Sequence, residues 1–226
     1  MQSREYAPIH TTGIKAVAFD LDGTLAKTVR PLIKAHQILL IENDKDPKPE
    51  DEIRQLIGHP PQTVFESLHG TYSKKLHERF ATIVGSHQHL VERVLWAKAT
   101  VEAVRKEGMV PTLLTGRSLF IEETLAVSGL HMRDFDIIRD GTISPGKPNS
   151  VCMDEIAVYT KCNYEEIAVV GDGGVDMATA NDVGALAIGV SLEDIRPVEG
   201  AAITIYSLYP VTRILQENNA YYKLAA

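Results

Sequence analysis

Cysteine is scarce in this chain of 226 residues, with only two, and no segment carries the roughly 18 consecutive apolar residues that a membrane-spanning helix needs. The first shortage excludes a disulfide framework: Cys152 and Cys162 match no zinc-ligand spacing and read as reduced thiols without a catalytic role. Positive charge is short as well. Lys and Arg number 23 against 30 Asp and Glu, and the net charge of −7 argues against a nucleic-acid partner. It also means that an anionic substrate must be drawn by local cations, a role a divalent metal would serve. Aromatic residues make up 6% of the chain, and Tyr72 and Trp96 read as packing groups rather than stacking platforms. No repeat or low-complexity stretch is visible, and residues 1–13 contain no apolar signal-peptide core. These absences together predict a cytoplasmic protein with no membrane partner.

What is present begins with Asp20-Leu21-Asp22-Gly23-Thr24, directly after the apolar run Ala16-Val17-Ala18-Phe19. Two carboxylates at the end of a buried strand occupy the place where ligand-binding groups collect on parallel sheets. Residues i and i+2 of an extended chain point the same way, so Asp20 and Asp22 can face one ligand while Leu21 turns into the core. Like charges so close call for a cation, a proton or a phosphoryl group to relieve them.

Three further motifs come after it in order: Leu113-Leu114-Thr115-Gly116-Arg117-Ser118, then Gly146-Lys147-Pro148, then Gly171-Asp172-Gly173-Gly174-Val175-Asp176. With the first, this series resembles the four motifs of the haloacid dehalogenase superfamily and spans residues 20–176. Each motif is weak by itself; their order carries the resemblance.

Hydrophobic periodicity gives an interrupted α/β chain. Strands are expected at 15–19, 110–114, 136–139, 167–170, 185–190 and 202–205. Helices are expected at 100–107, 119–128, 151–160 and 177–181, with a closing helix from Pro210. Between the first two strands, 31–42, 50–57, 61–69 and 72–96 show helical spacing and no strand. The expected fold is a doubly wound, Rossmann-like parallel sheet (residues 1–27 and 97–226) with an inserted α-helical cap (28–96) and hinges near 26–29 and 96–100. The insert resembles the helical cap of the phosphoglycolate phosphatase and β-phosphoglucomutase branch.

The chemistry of a slow phosphoester cleavage suggests roles for these residues. Asp20 is the candidate nucleophile, giving an aspartyl phosphate, and Asp22 the candidate acid and then base. Thr115, Gly116 and Arg117 are candidate phosphoryl contacts at a helix start, although Thr115 or Ser118 could equally be a plain helix cap. Lys147 would offset repulsion between Asp20 and the phosphoryl group. Asp172 and Asp176 supply hard oxygen ligands suited to Mg²⁺, and the family resemblance adds Asp20 and the main-chain carbonyl of Asp22 to that metal set. Gly173 departs from the Ser or Thr common at its place in the family. Arg54 and His59, in a segment resembling the family's cap loop, are candidate substrate contacts, with a solvated helix face and a surface loop as their bland alternatives. His87 and His89, at i and i+2, make a poor metal pair. The expectation is a Mg²⁺-dependent phosphatase acting on a small phosphorylated metabolite, a phosphoglycolate-like monoester being the nearest guess, as monomer or homodimer. The alternatives are a phosphomutase of the β-phosphoglucomutase type and a phosphate-binding protein without turnover.

Overall fold

The computed structural model describes residues 13–193 and 195–225. The polar segment 1–12 and Asp194, expected to be a solvated acid beside Glu193, lie outside the described residues. The elements in chain order are β1 (Ala16–Phe19), β2 (Ala26–Lys27), α1 (Val29–Glu42), α2 (Glu50–Leu56), α3 (Pro61–His69), α4 (Lys74–Ser86), β3 (Glu92–Arg93), α5 (Ala97–Lys106), β4 (Val110–Leu114), α6 (Ile121–Val127), β5 (Ile137–Arg139), α7 (Asp154–Thr160), β6 (Ile167–Gly171), α8 (Gly174–Asp182), β7 (Leu186–Val190), β8 (Ile203–Ile205) and α9 (Val211–Ala225).

Six strands form one parallel sheet in the order β5-β4-β1-β6-β7-β8. Its central strands, AVAF, IAVVG and LAIGV, are apolar and buried along their whole length, as strands covered on both faces must be. Alternate residues divide between the faces. Val17, Phe19, Ala168 and Val170 pack with α5, α6 and α9, whereas Ala16, Ala18, Ile167 and Val169 pack with α7 and α8. Register sets Phe19 opposite both Leu113 and Val170, so the segments that follow β1, β4 and β6 emerge together at one sheet edge.

Between β1 and β4 the chain makes a helical module with apolar clusters of its own. One joins Leu32, Ala35, Leu39, Phe65, Phe80, Ile83 and Val84; another joins Val29, Ile33, Ile53, Val64 and Leu68. Helix α1 is thus apolar on two flanks, and helices pack on both. Helix α3 starts at Pro61, where a missing N–H costs nothing, and stops at Gly70, which takes a left-handed conformation (φ 71°).

Two expectations for this module are overturned. The helix expected over 72–96 ends at Ser86, because the Ser86 hydroxyl and His87 Nδ1 both bond the Ile83 carbonyl (2.7 and 2.8 Å) and cap the turn. A strand also exists where none was expected: β3 pairs antiparallel with β2, Ala26 opposite Arg93 and Lys27 opposite Glu92. This ribbon joins the outgoing and returning connections of the module.

Candidate active site

Asp20 follows β1 and is 2% exposed; its N–H donates to the Val170 carbonyl (2.9 Å), which ties it to the end of β6. Lys147, equally buried, donates from Nζ to Asp20 Oδ1 and Asp176 Oδ1, each at 2.6 Å. The ammonium therefore stands between the first and fourth motifs. Asp176 lies in the first turn of α8, and its Oδ2 accepts the Gly173 N–H (3.2 Å), so it caps that helix while its other oxygen faces the site. Asp20, Asp172 and Asp176 each offer an oxygen, all within 4.8 Å of one another.

Glycine makes this crowding possible at two positions. A Cβ on Gly23, whose φ is 84°, would collide with the Asp172 carboxylate, and one on Gly171 would collide with that of Asp176.

Three carboxylates, those of Asp20 and Asp176 buried and that of Asp172 partly so, face one ammonium, and the imbalance is visible in the titration of Asp20 and Asp172. Burial, reinforced by Asp176 and Asp22 and opposed by Lys147, pushes Asp20 up to about 7. Burial and the charges of Asp20 and Asp176 push Asp172 well above the usual carboxylate range. For Lys147 burial acts to lower the value, but Asp176 and Asp20 outweigh it and hold the ammonium protonated. A set of hard oxygen donors short of positive charge fits Mg²⁺.

Asp22 is handled differently. Its Oδ1 accepts from Thr28 Oγ1 (2.5 Å) and from Arg117 Nη2 (2.5 Å) and Nε (3.0 Å), while its Oδ2 has Arg117 Nε at 3.1 Å. Arg117 Nη1 also donates to the Leu119 carbonyl (3.3 Å). The Arg117 guanidinium is thus engaged by Asp22, and the Asp22 side chain stands outside the carboxylate cluster that could hold a metal, leaving its main-chain carbonyl as the ligand the family resemblance implies.

Thr115 is buried past the end of β4, and its Oγ1 accepts the Arg117 N–H (3.1 Å), which leaves the hydroxyl proton free to donate. The helix expected to begin just after it starts at Ile121 instead, so the Thr115–Ser118 loop is not a helix N-terminus and offers no dipole there. The Gly116 N–H has no protein acceptor among the described residues.

From the helical module, the Gly58 and His59 carbonyls press on Gly116 so closely that a Cβ there would overlap both. His59 stands near Lys147: burial, then that ammonium, lower its imidazole below the ordinary value. Arg54 lines a different cavity, with Lys27, Arg30, Gly23, Asp172 and Glu193, on the side of the carboxylate cluster. The two cap candidates thus line different cavities, Arg54 one with Asp172 and His59 one with Asp22. Sequence reasoning missed Thr28 and the Arg117–Asp22 pair, since nothing local marks a bond between residues 95 apart. Cys152 is buried and its thiol is pushed up to about 11 by that burial, in keeping with an inert thiol; Cys162 is likewise free.

Comparison with known proteins gives a consistent picture. A family model described as haloacid dehalogenase-like hydrolase matches residues 17–190. The phosphoglycolate phosphatase of Vibrio parahaemolyticus is 24% identical over 191 residues, covering 79% of this chain and 84% of that protein. A hydrolase from Pseudomonas syringae has the same fold, with a TM-score of 0.78 at 22% identity over 90% of this chain and 98% of its own. So has β-phosphoglucomutase from Clostridium difficile, with a TM-score of 0.77 at 17% identity over 93% and 99% of the two chains.

Proposed function

Because the chain belongs to the haloacid dehalogenase-like hydrolases, we propose that it is a Mg²⁺-dependent phosphatase that cleaves a small phosphorylated metabolite through an aspartyl phosphate on Asp20. The observation that carries this reading is the buried Asp20 carboxylate, bonded to Lys147 at 2.6 Å and grouped with Asp172 and Asp176. The name of the Vibrio relative makes a phosphoglycolate-like monoester the nearest named substrate.

Asp20, Asp172 and Asp176, with the Asp22 carbonyl, would hold the ion, which when bound supplies positive charge against the phosphoryl oxygens. In the first step an Asp20 oxygen forms a bond to phosphorus as the bond to the leaving oxygen breaks. Lys147, the Thr115 hydroxyl and the Gly116 N–H draw on the same phosphoryl oxygens and limit the charge that builds there. Asp22 gives its proton to the leaving oxygen. Its Oδ2 is the less committed oxygen for that proton, accepting only from Arg117 Nε (3.1 Å), whereas Oδ1 accepts three bonds from Thr28 and Arg117. In the second step Asp22 takes a proton from water as the water oxygen attacks phosphorus, releasing phosphate and restoring Asp20.

Phosphate release from a panel of small phosphomonoesters, with and without Mg²⁺, tests this beside Asp20→Asn. The expected result is metal-dependent release that falls by about three orders of magnitude or more in the variant. Release that survives the substitution, or that ignores Mg²⁺, overturns the reading. Transfer between added sugar phosphates without net release would point instead to a mutase.

A further inference from the structure

Two cavities open beside the carboxylate cluster, one lined by Asp172 and the other by Asp22. Under the phosphatase reading, on which this inference rests, Asp22 must meet the leaving oxygen, so the leaving group enters the second. That cavity encloses about 70 Å³ between the module and the 116–119 loop. It has room for a few heavy atoms, given that a water molecule takes roughly 30 Å³ in the liquid.

On the module side its buried wall is largely apolar, with Leu32, Val64, Phe65, Phe80 and Val84. His36 of α1 interrupts that wall. It is 3% exposed, and its ring stacks on Phe80 with centroids 4.3 Å apart. Its Nδ1 bonds His69 Nε2 (3.1 Å), while its Nε2 has no partner among the described residues. His69 Nδ1 also lacks one and is fully buried. His36 Nε2 is not closed off in that way, and the cavity is the open space that His36 lines.

Burial keeps both rings neutral, so the pair shares one proton in its bond. Were that proton on His36 Nδ1, the proton of His69 would sit on its own Nδ1. That would be a closed-off N–H without an acceptor, which native interiors avoid more strictly than a bare lone pair. With the shared proton on His69 Nε2, the closed-off nitrogen is bare and His36 carries its proton on Nε2. His69 thus fixes His36 as a donor toward the cavity. Arg117 adds to the supply, since each of its terminal nitrogens keeps one N–H beyond those given to Asp22 and the Leu119 carbonyl.

We propose that His36 determines specificity: its Nε2–H donates to a carboxylate, carbonyl or hydroxyl oxygen on a short leaving group, which favours phosphate esters of small oxygenated alcohols over alkyl phosphates. An alkyl group in the same space strips water from that N–H and supplies no acceptor in return.

The test separates binding from turnover. In the ¹⁵N-labelled full chain at pH 7, ring-nitrogen shifts are expected to show His36 protonated at Nε2 and bare at Nδ1. Non-hydrolysable 3-phosphonopropionate, 3-hydroxypropylphosphonate and butylphosphonate, matched in length, are then titrated calorimetrically with Mg²⁺. Both oxygenated analogues are expected to bind at least threefold tighter than butylphosphonate. His36→Phe, which keeps an aromatic ring against Phe80, should lower those ratios at least fivefold, and His36→Gln, which offers an N–H from the same helix position, should restore part of the loss. A His36 proton on Nδ1, oxygenated analogues that bind no tighter than butylphosphonate, or ratios unmoved in a His36→Phe chain shown to be folded by circular dichroism, each overturn the proposal. The wild-type tautomer and selectivity decide it even where a variant does not fold. Selectivity that depends on His36 without hydrolysis of any ester would support this role while removing the phosphatase reading; hydrolysis with selectivity indifferent to His36 would do the reverse.

Discussion

Two clusters of buried ionisable groups resolve the cost of burial in opposite ways. At the sheet edge, Asp20, Asp172 and Asp176 crowd one ammonium, and the negative excess is left standing. In the helical module, His36 and His69 are paired with each other among Phe65 and Phe80, and burial, first among causes for both, depresses them to about 3 and about 4. The imidazoles thus settle as neutral rings, whereas the carboxylates are left short of positive charge and with a raised affinity for protons. Burial alone does not mark a site for chemistry; unresolved charge does.

The sharpest way to break this contrast is Lys147→Met. Removing the sole ammonium from between two carboxylates is expected to destabilise the metal-free chain by about 3–5 kcal/mol, with Mg²⁺ restoring part of the loss, as urea titration would reveal. A loss under about 1 kcal/mol would mean that the cluster does not depend on this cation. Asp172→Asn should act in the other direction, raising metal-free stability by about 1–2 kcal/mol while reducing the stabilisation Mg²⁺ confers. If the variant keeps the full Mg²⁺ response, Asp172 is not a ligand.

Acidification provides the third and smallest test. A histidine depressed in the folded state is neutral in both states above about 6.5; below that the unfolded chain takes up the proton first, so stability falls from pH 6.5 toward 4. Asp20, raised to about 7, has the reverse sign: without metal, the folded chain protonates first, and stability grows as pH falls from 7 toward 4. Amide hydrogen exchange, corrected for its intrinsic pH dependence, should therefore show protection falling in α1 and α3 and rising beside β1 and β6 over the same range. His36→Phe should remove part of the loss in the module at a cost of about 1 kcal/mol at pH 8, where its bond to His69 is missing. Parallel responses in both regions would end the comparison.

The sheet was legible because its information is local. AVAF, IAVVG and LAIGV announce buried parallel strands, and an Asp directly or one residue after such a run marks the sheet edge that holds the cluster. Helix α3 was readable to the residue, since Pro61 and Gly70 punctuate it. The 72–96 segment misled because Val91 and Leu95 continue a helical spacing across a stop that two side chains, Ser86 and His87, make by bonding one carbonyl. The Arg117–Asp22 pair went unread for another reason: it depends on how the loops after β1 and β4 meet, which no local pattern encodes.

The small ribbon of β2 and β3 has a mechanical consequence. A module inserted by two independent tethers could sway and twist over the sheet edge in any direction. Here Ala26 and Arg93, and Lys27 and Glu92, are laced together, so both tethers leave as one strap. Any movement of the module would thereby be reduced toward a single swing about that strap, like a door on one hinge pin. Where the Gly58 and His59 carbonyls rest on Gly116, the door would meet its frame backbone to backbone, with no side chain of Gly116 between them.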